Sequence, residues 1–130
     1  MHIYVGGSHN GKRDFVKERL AGEDCVWIEA GGLDRLPDPP RGIVILAGIE
    51  EYISKVHTDE REAVGEVREF VRAAEPGGLV LIITDIGRGI VPADPHARWL
   101  RDTCGRLNQQ LFREADRITR IWYGIPQEIR

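Results

Sequence analysis

Two rhythms of apolar and polar residues alternate along the chain. Short apolar runs bounded by glycine, proline or charged residues occur at Ile3-Tyr4-Val5, Cys25-Val26-Trp27-Ile28, Ile43-Val44-Ile45-Leu46-Ala47, Leu79-Val80-Leu81-Ile82-Ile83 and around Ile118 to Tyr123. The third and fourth are apolar without a break, as expected of strands buried on both faces of a parallel sheet. Between the runs the spacing becomes helical. Phe15, Val16, Arg19 and Leu20 share one face of a helix expected over 11–21, ended by Gly22. A short helix is expected over 50–56. Ala63, Val64, Val67, Phe70, Val71 and Ala74 mark a longer one, capped by Thr58 or Asp59 and stopped by Pro76-Gly77-Gly78. Asp94-Pro95 reads as a cap followed by a first-turn proline, opening a helix with Leu100, Cys104, Leu107, Leu111 and Ala115 on one face. Gly124-Ile125-Pro126 reads as the close of the last strand. Strands alternating with helices predict an α/β fold with a mostly parallel sheet and right-handed crossovers. No repeat or linker interrupts the pattern, so residues 1–130 read as a single domain.

Composition narrows the class. With 42% apolar and 30% charged residues the chain reads as globular. A net charge of −3 argues against a sequence-independent nucleic-acid binder, which needs a basic face. No apolar run approaches the roughly 18 residues that span a bilayer, and no targeting segment is legible. The two cysteines, Cys25 and Cys104, lie in apolar patterns without a C-x-x-C pair, so they read as buried, reduced thiols of a cytoplasmic protein.

The first strand runs directly into Gly6-Gly7-Ser8-His9-Asn10-Gly11-Lys12-Arg13, a G-x-x-x-x-G-K sequence ahead of a helix. Strand, glycine loop and helix in that order are the context of a phosphate-binding P-loop. Gly6 and Gly11 are expected to take positive-φ turns. The loop N–H groups and the first helical turn then face phosphate oxygens, and Lys12 reaches the outer phosphates as a point charge. A glycine-rich turn without a ligand is the competing reading. One position departs from the pattern: the Ser or Thr whose hydroxyl holds Mg²⁺ is here Arg13, which cannot ligate a cation.

The C-terminal residues carry a more specific pattern. Thr84-Asp85-Ile86-Gly87-Arg88-Gly89-Ile90-Val91-Pro92 is followed by Arg101-Asp102, Gly105-Arg106-Leu107-Asn108-Gln109, Ala115-Asp116 and Gly124-Ile125-Pro126. In order and spacing these resemble the adenosylcobinamide kinase/adenosylcobinamide-phosphate guanylyltransferase family of cobalamin biosynthesis, which also begins with a glycine loop on its first strand. The resemblance implies a P-loop NTPase-like (RecA-like) three-layer fold. It implies GTP or ATP bound by Gly6 through Arg13, adenosylcobinamide as the acceptor, and a homo-oligomer, a trimer in the common case.

Departures from the family pattern bear on chemistry. Family members are longer, and the part missing here, between the second and third strands, carries the histidine that becomes guanylylated. Residues 31–41 contain no histidine, which implies that covalent GMP transfer is lost. The Asp that ends the family's third strand and serves the metal aligns with Ala47. The remaining candidates for catalysis are Lys12 and Asp85, the latter at the carboxyl end of a buried strand, where ligands bind in open α/β sheets. Asp85 and Glu50 are the candidates for Mg²⁺. Their alternatives are a turn residue and a first-turn acid favoured by the helix dipole. Arg13 either pairs a phosphate in place of the metal or faces solvent or an acid such as Asp14. Trp99, Trp122 and Phe112 read as packing residues, and Arg98, Arg101, Arg106 and Arg113 as a solvated helix face paired with Asp102 and Glu114. Two functions stay open: a phosphotransferase, and a degenerate paralogue that binds nucleotide, corrinoid or a partner without turnover.

Overall fold

The computed structural model describes residues 1–86 and 93–130. The block at Gly87 to Pro92, which carries part of the family resemblance, lies outside the described residues. Six strands form one sheet: β1 (His2–Gly6), β2 (Cys25–Glu29), β3 (Ile43–Ala47), β4 (Leu79–Thr84), β5 (Arg117–Trp122) and β6 (Ile125–Glu128). Their order is β2-β3-β4-β1-β5-β6. The first five are parallel, and β6 runs antiparallel to β5 at the edge. The helices are α1 (Lys12–Arg19), α2 (Ile49–Val56), α3 (Glu60–Ala74) and α4 (Pro95–Glu114). The α/β, three-layer architecture with a mostly parallel sheet is the one expected.

Strand alternation sorts the core into two layers. Ile3, Val44, Leu46, Leu81 and Ile83 meet Tyr52 and Ile53 of α2, Val67 and Phe70 of α3, and Leu107 and Leu111 of α4. Tyr4, Ile45, Ala47, Ile82 and Ile121 face the other way, onto Val16 of α1. Among the described residues, the helix on that second face is the one that follows the glycine loop. The first strand therefore lies inside the sheet, between β4 and β5, with its carboxyl end where the chain turns into α1.

Caps act where the side chains predict. The Asp59 carboxylate accepts from the Glu62 N–H at 3.1 Å, and that of Asp94 from the Ala97 N–H at 2.8 Å. Two boundaries differ from the sequence reading. Helix α1 starts at Lys12 because Gly11 is left-handed, with φ 79°. The chain after Trp122 does not close a strand but reverses into β6. Tyr123 (φ 47°) and Gly124 (φ 76°) are both left-handed, the backbone of a two-residue type I′ hairpin turn. Pro126 is tolerated there because β6 is the edge of the sheet.

Candidate functional site

The glycine loop joins the carboxyl end of β1 to α1. Gly6 stays extended in β1, paired with Thr84, and is not a positive-φ turn as expected. Its requirement is space: a Cβ there would drive into the Ile121 carbonyl oxygen of β5. The left-handed residues of the loop are His9 (φ 61°) and Gly11. The loop is tied at two further points. The Gly6 carbonyl accepts from the Asp85 N–H and the Asn10 carbonyl from the Gly124 N–H, both at 2.9 Å. Ser8 and His9 are exposed, while Gly7 and Asn10 are half-buried.

Lys12 occupies the first turn of α1 with only 4% of its surface exposed. Its Nζ donates to the Gly7 carbonyl at 2.7 Å, so the ammonium folds back over the loop that precedes it. Burial lowers its pKa, and the negative charge of Glu50 opposes that shift. A buried ammonium satisfied by one loop carbonyl, beside a helix N-terminus, is a cation with capacity for anionic oxygens.

Glu50 lies in the first turn of α2 and is 8% exposed. Its Oε1 accepts from the Thr84 N–H at 2.7 Å, closing the gap between the carboxyl ends of β3 and β4. Burial pushes its pKa up to about 7 against the pull of two backbone hydrogen bonds and of Lys12. Asp85 follows Thr84 and lines a recess of about 340 Å³ with Gly6, Gly7, Asn10, Phe112, Arg120 and Trp122. Lys12, Glu50 and Asp85 thus lie at the carboxyl ends of neighbouring strands, on the loop side of the sheet.

Arg13 follows the second sequence reading, in that it faces an acid. Its guanidinium makes a two-point pair with Glu29 at the end of β2, Nε to Oε1 at 2.9 Å and Nη2 to Oε2 at 3.0 Å. The acid is Glu29, not Asp14. The hydrogen bonds raise the pKa of Arg13 and lower that of Glu29. No sequence signal pointed to Glu29, which lies 16 residues away. Two usual supports of a P-loop magnesium ion are replaced, and of the two candidates Asp85 is the one at the recess. Arg13 replaces the hydroxyl, Ala47 ends β3, and Glu50 is buried and committed to a backbone N–H. Among the described residues no three His, Cys, Asp or Glu side chains converge as a metal site.

The other polar and aromatic side chains divide between structure and surface. His57, at the end of α2, bonds Glu66 at 2.6 Å; Glu66 also accepts from the buried Tyr52 hydroxyl at 2.7 Å and the Leu36 N–H at 3.3 Å. This network, unread in the sequence, ties the segment after β2 to α2 and α3. His96 bonds Ser54 at 3.0 Å and His2 bonds Thr119 at 2.8 Å. On α4, Arg101 pairs Asp102, while Arg106 pairs Glu60 of α3. Glu114 pairs Arg68 of α3 rather than an arginine of its own helix. Trp99 and Phe112 pack partly against the core as expected. Trp122 does not: it is 55% exposed.

Comparison with known proteins now bears on this geometry. The family model for cobinamide kinase / cobinamide phosphate guanyltransferase matches residues 36–129. The chain belongs to this family. The bifunctional adenosylcobalamin biosynthesis protein CobU of Salmonella typhimurium is 36% identical over 73 residues, and the protein of that name from Escherichia coli is 34% identical over the same length. Each match takes in 55% of this chain and 40% of the relative. The cobinamide kinase family match begins after the glycine loop, so Lys12 and its neighbours rest on their own geometry. No helix among the described residues is long and apolar enough to cross a membrane.

Proposed function

We propose that this chain binds GTP or ATP at Gly6 to Arg13 and passes the γ-phosphoryl group to the hydroxyl of adenosylcobinamide. The observation that carries the reading is the buried Lys12 ammonium, held at 2.7 Å by the Gly7 carbonyl in a loop ending at a left-handed Gly11 and a helix N-terminus. Phosphate oxygens replace that carbonyl as the lysine's partner, and the N–H groups at the start of α1 donate to them. The acceptor hydroxyl enters the recess beside Asp85. As its oxygen bonds to the γ-phosphorus, the bond to the leaving nucleoside diphosphate breaks and the hydroxyl proton passes to the Asp85 carboxylate. Catalysis in such transfers is mostly alignment and charge neutralisation. Covalent GMP transfer is absent from the proposal, because residues 31–41 offer no histidine. The setting is cytoplasmic, with a homo-oligomer as the working form and no nucleic-acid partner.

The Arg13–Glu29 pair and Ala47 favour a second reading, in which nucleotide binds without turnover. Radiolabelled GTP incubated with adenosylcobinamide separates the two. A phosphorylated corrinoid that disappears in Lys12→Ala supports the kinase. Bound GTP without product supports the second reading, and an acid-labile GMP adduct on the protein contradicts the loss of guanylyl transfer.

A further inference from the structure

The loop shares a second recess, of about 420 Å³, on the α1 side of the hairpin tip. Its walls are His9, Asn10 and Gly11 of the loop, Asp14, Phe15 and Glu18 of α1, and Tyr123-Gly124; the two carboxylates disfavour phosphate here, so the recess suits an uncharged ring. Tyr123 is 72% exposed, so its ring is open to a ligand. It is also held in place. The Gly124 N–H bonds the Asn10 carbonyl at 2.9 Å, which fixes the hairpin tip relative to the loop. The Trp122 ring braces Tyr123 edge-on at 5.5 Å between centroids. His9 and Tyr123 are the two non-glycine residues at positive φ among the described residues, and both line this recess. Left-handed backbone at a bulky aromatic residue is unfavourable, and such outliers cluster at ligand sites. An Asn-Gly or Asp-Gly pair makes the same turn without that cost; here the chain keeps a tyrosine.

We infer that the Tyr123 ring is the platform on which the base of a bound nucleoside triphosphate stacks, with the base in the recess between α1 and the hairpin tip. This rests on the proposed phosphate site and specifies what lies beyond the phosphates. A flat π-face recognises any base by stacking, so purine and pyrimidine nucleotides all benefit. The phosphate tail alone gains nothing from the ring.

The test compares GTP, ATP and inorganic triphosphate by isothermal titration against wild type, Tyr123→Asn, Tyr123→Phe and Lys12→Ala. Tyr123→Asn creates the favoured Asn-Gly turn, so it removes the ring while keeping the hairpin, which thermal unfolding checks. Stacking by alanine substitution is worth at least a fivefold change in affinity per base. GTP and ATP affinity is expected to fall at least fivefold in Tyr123→Asn and to persist in Tyr123→Phe, with triphosphate affinity unchanged in both. Unchanged GTP affinity in Tyr123→Asn overturns the base platform while leaving the phosphate site intact, provided Lys12→Ala still loses both ligands. A wild type that binds neither GTP nor triphosphate overturns both.

Discussion

The Glu50 carboxyl makes stability depend on pH in a calculable way. The residue is 8% exposed and its pKa is raised by burial from 4.5 to about 7. The folded chain therefore binds more protons than the unfolded chain between those values, and this group's contribution to stability falls as pH rises through that window. At 1.36 kcal/mol per pH unit, the full penalty above pH 7 is about 3 kcal/mol, with the attraction of Lys12 already included. Glu50→Gln removes the ionisation and keeps a carbonyl oxygen for the Thr84 N–H, which Glu50 now accepts at 2.7 Å. Urea unfolding followed by circular dichroism, with both proteins at about pH 4.5, 6 and 8, gives the comparison. The two are expected to unfold alike near pH 4.5 and to separate as pH rises, with the glutamine variant more stable by up to about 3 kcal/mol at pH 8. A pH-independent difference, or a less stable variant at pH 8, would refute the claim that Glu50 is buried at a cost in charge.

Three other substitutions probe the frame around the loop. Gly6→Ala places a methyl against the Ile121 carbonyl and is expected to push β1 from β5, lowering the urea midpoint by the equivalent of about 2 kcal/mol or more. Glu66→Ala strips the acceptor from Tyr52, His57 and the Leu36 N–H, and is expected to cost about 2–4 kcal/mol, with faster amide exchange around Leu36. Asp94→Ala removes the α4 cap, and a loss of about 1 kcal/mol should appear in the same unfolding assay.

The alternation of strands and helices was legible because β3 and β4 are buried on both faces and so read as unbroken apolar runs. Strand β6 was not, because all four of its residues are exposed and one is proline. Its turn was masked in the same way, since Tyr-Gly lacks the Asn or Asp that usually announces a type I′ hairpin. Trp122 misled for a related reason. Strand alternation turns Ile121 into the core and Trp122 outward at the end of β5, where it stays half exposed.

At the site, the residue types around Lys12 were readable as a motif, whereas their partners were not. The Arg13–Glu29 pair joins the start of α1 to the end of β2, which the β1–α1–β2 crossover places beyond β4 and β3. Local spacing contains no trace of that neighbourhood. Glu50 read as a Mg²⁺ candidate or else a first-turn acid, solvated in either case. Only the fold tucks that turn between β3 and β4 and converts a solvated carboxylate into a buried one.

The central claim is that the turn after β1 is a phosphate seat whose charge is supplied by Lys12. Isothermal titration of GTP into wild type and Lys12→Ala, each with Mg²⁺ and with chelator, tests it most directly. The account predicts saturable binding by wild type that changes little when Mg²⁺ is chelated, because Arg13 and Ala47 stand where metal supports are expected, and that is lost in Lys12→Ala. Absence of wild-type binding at millimolar GTP, or equal binding by the alanine variant, would contradict it.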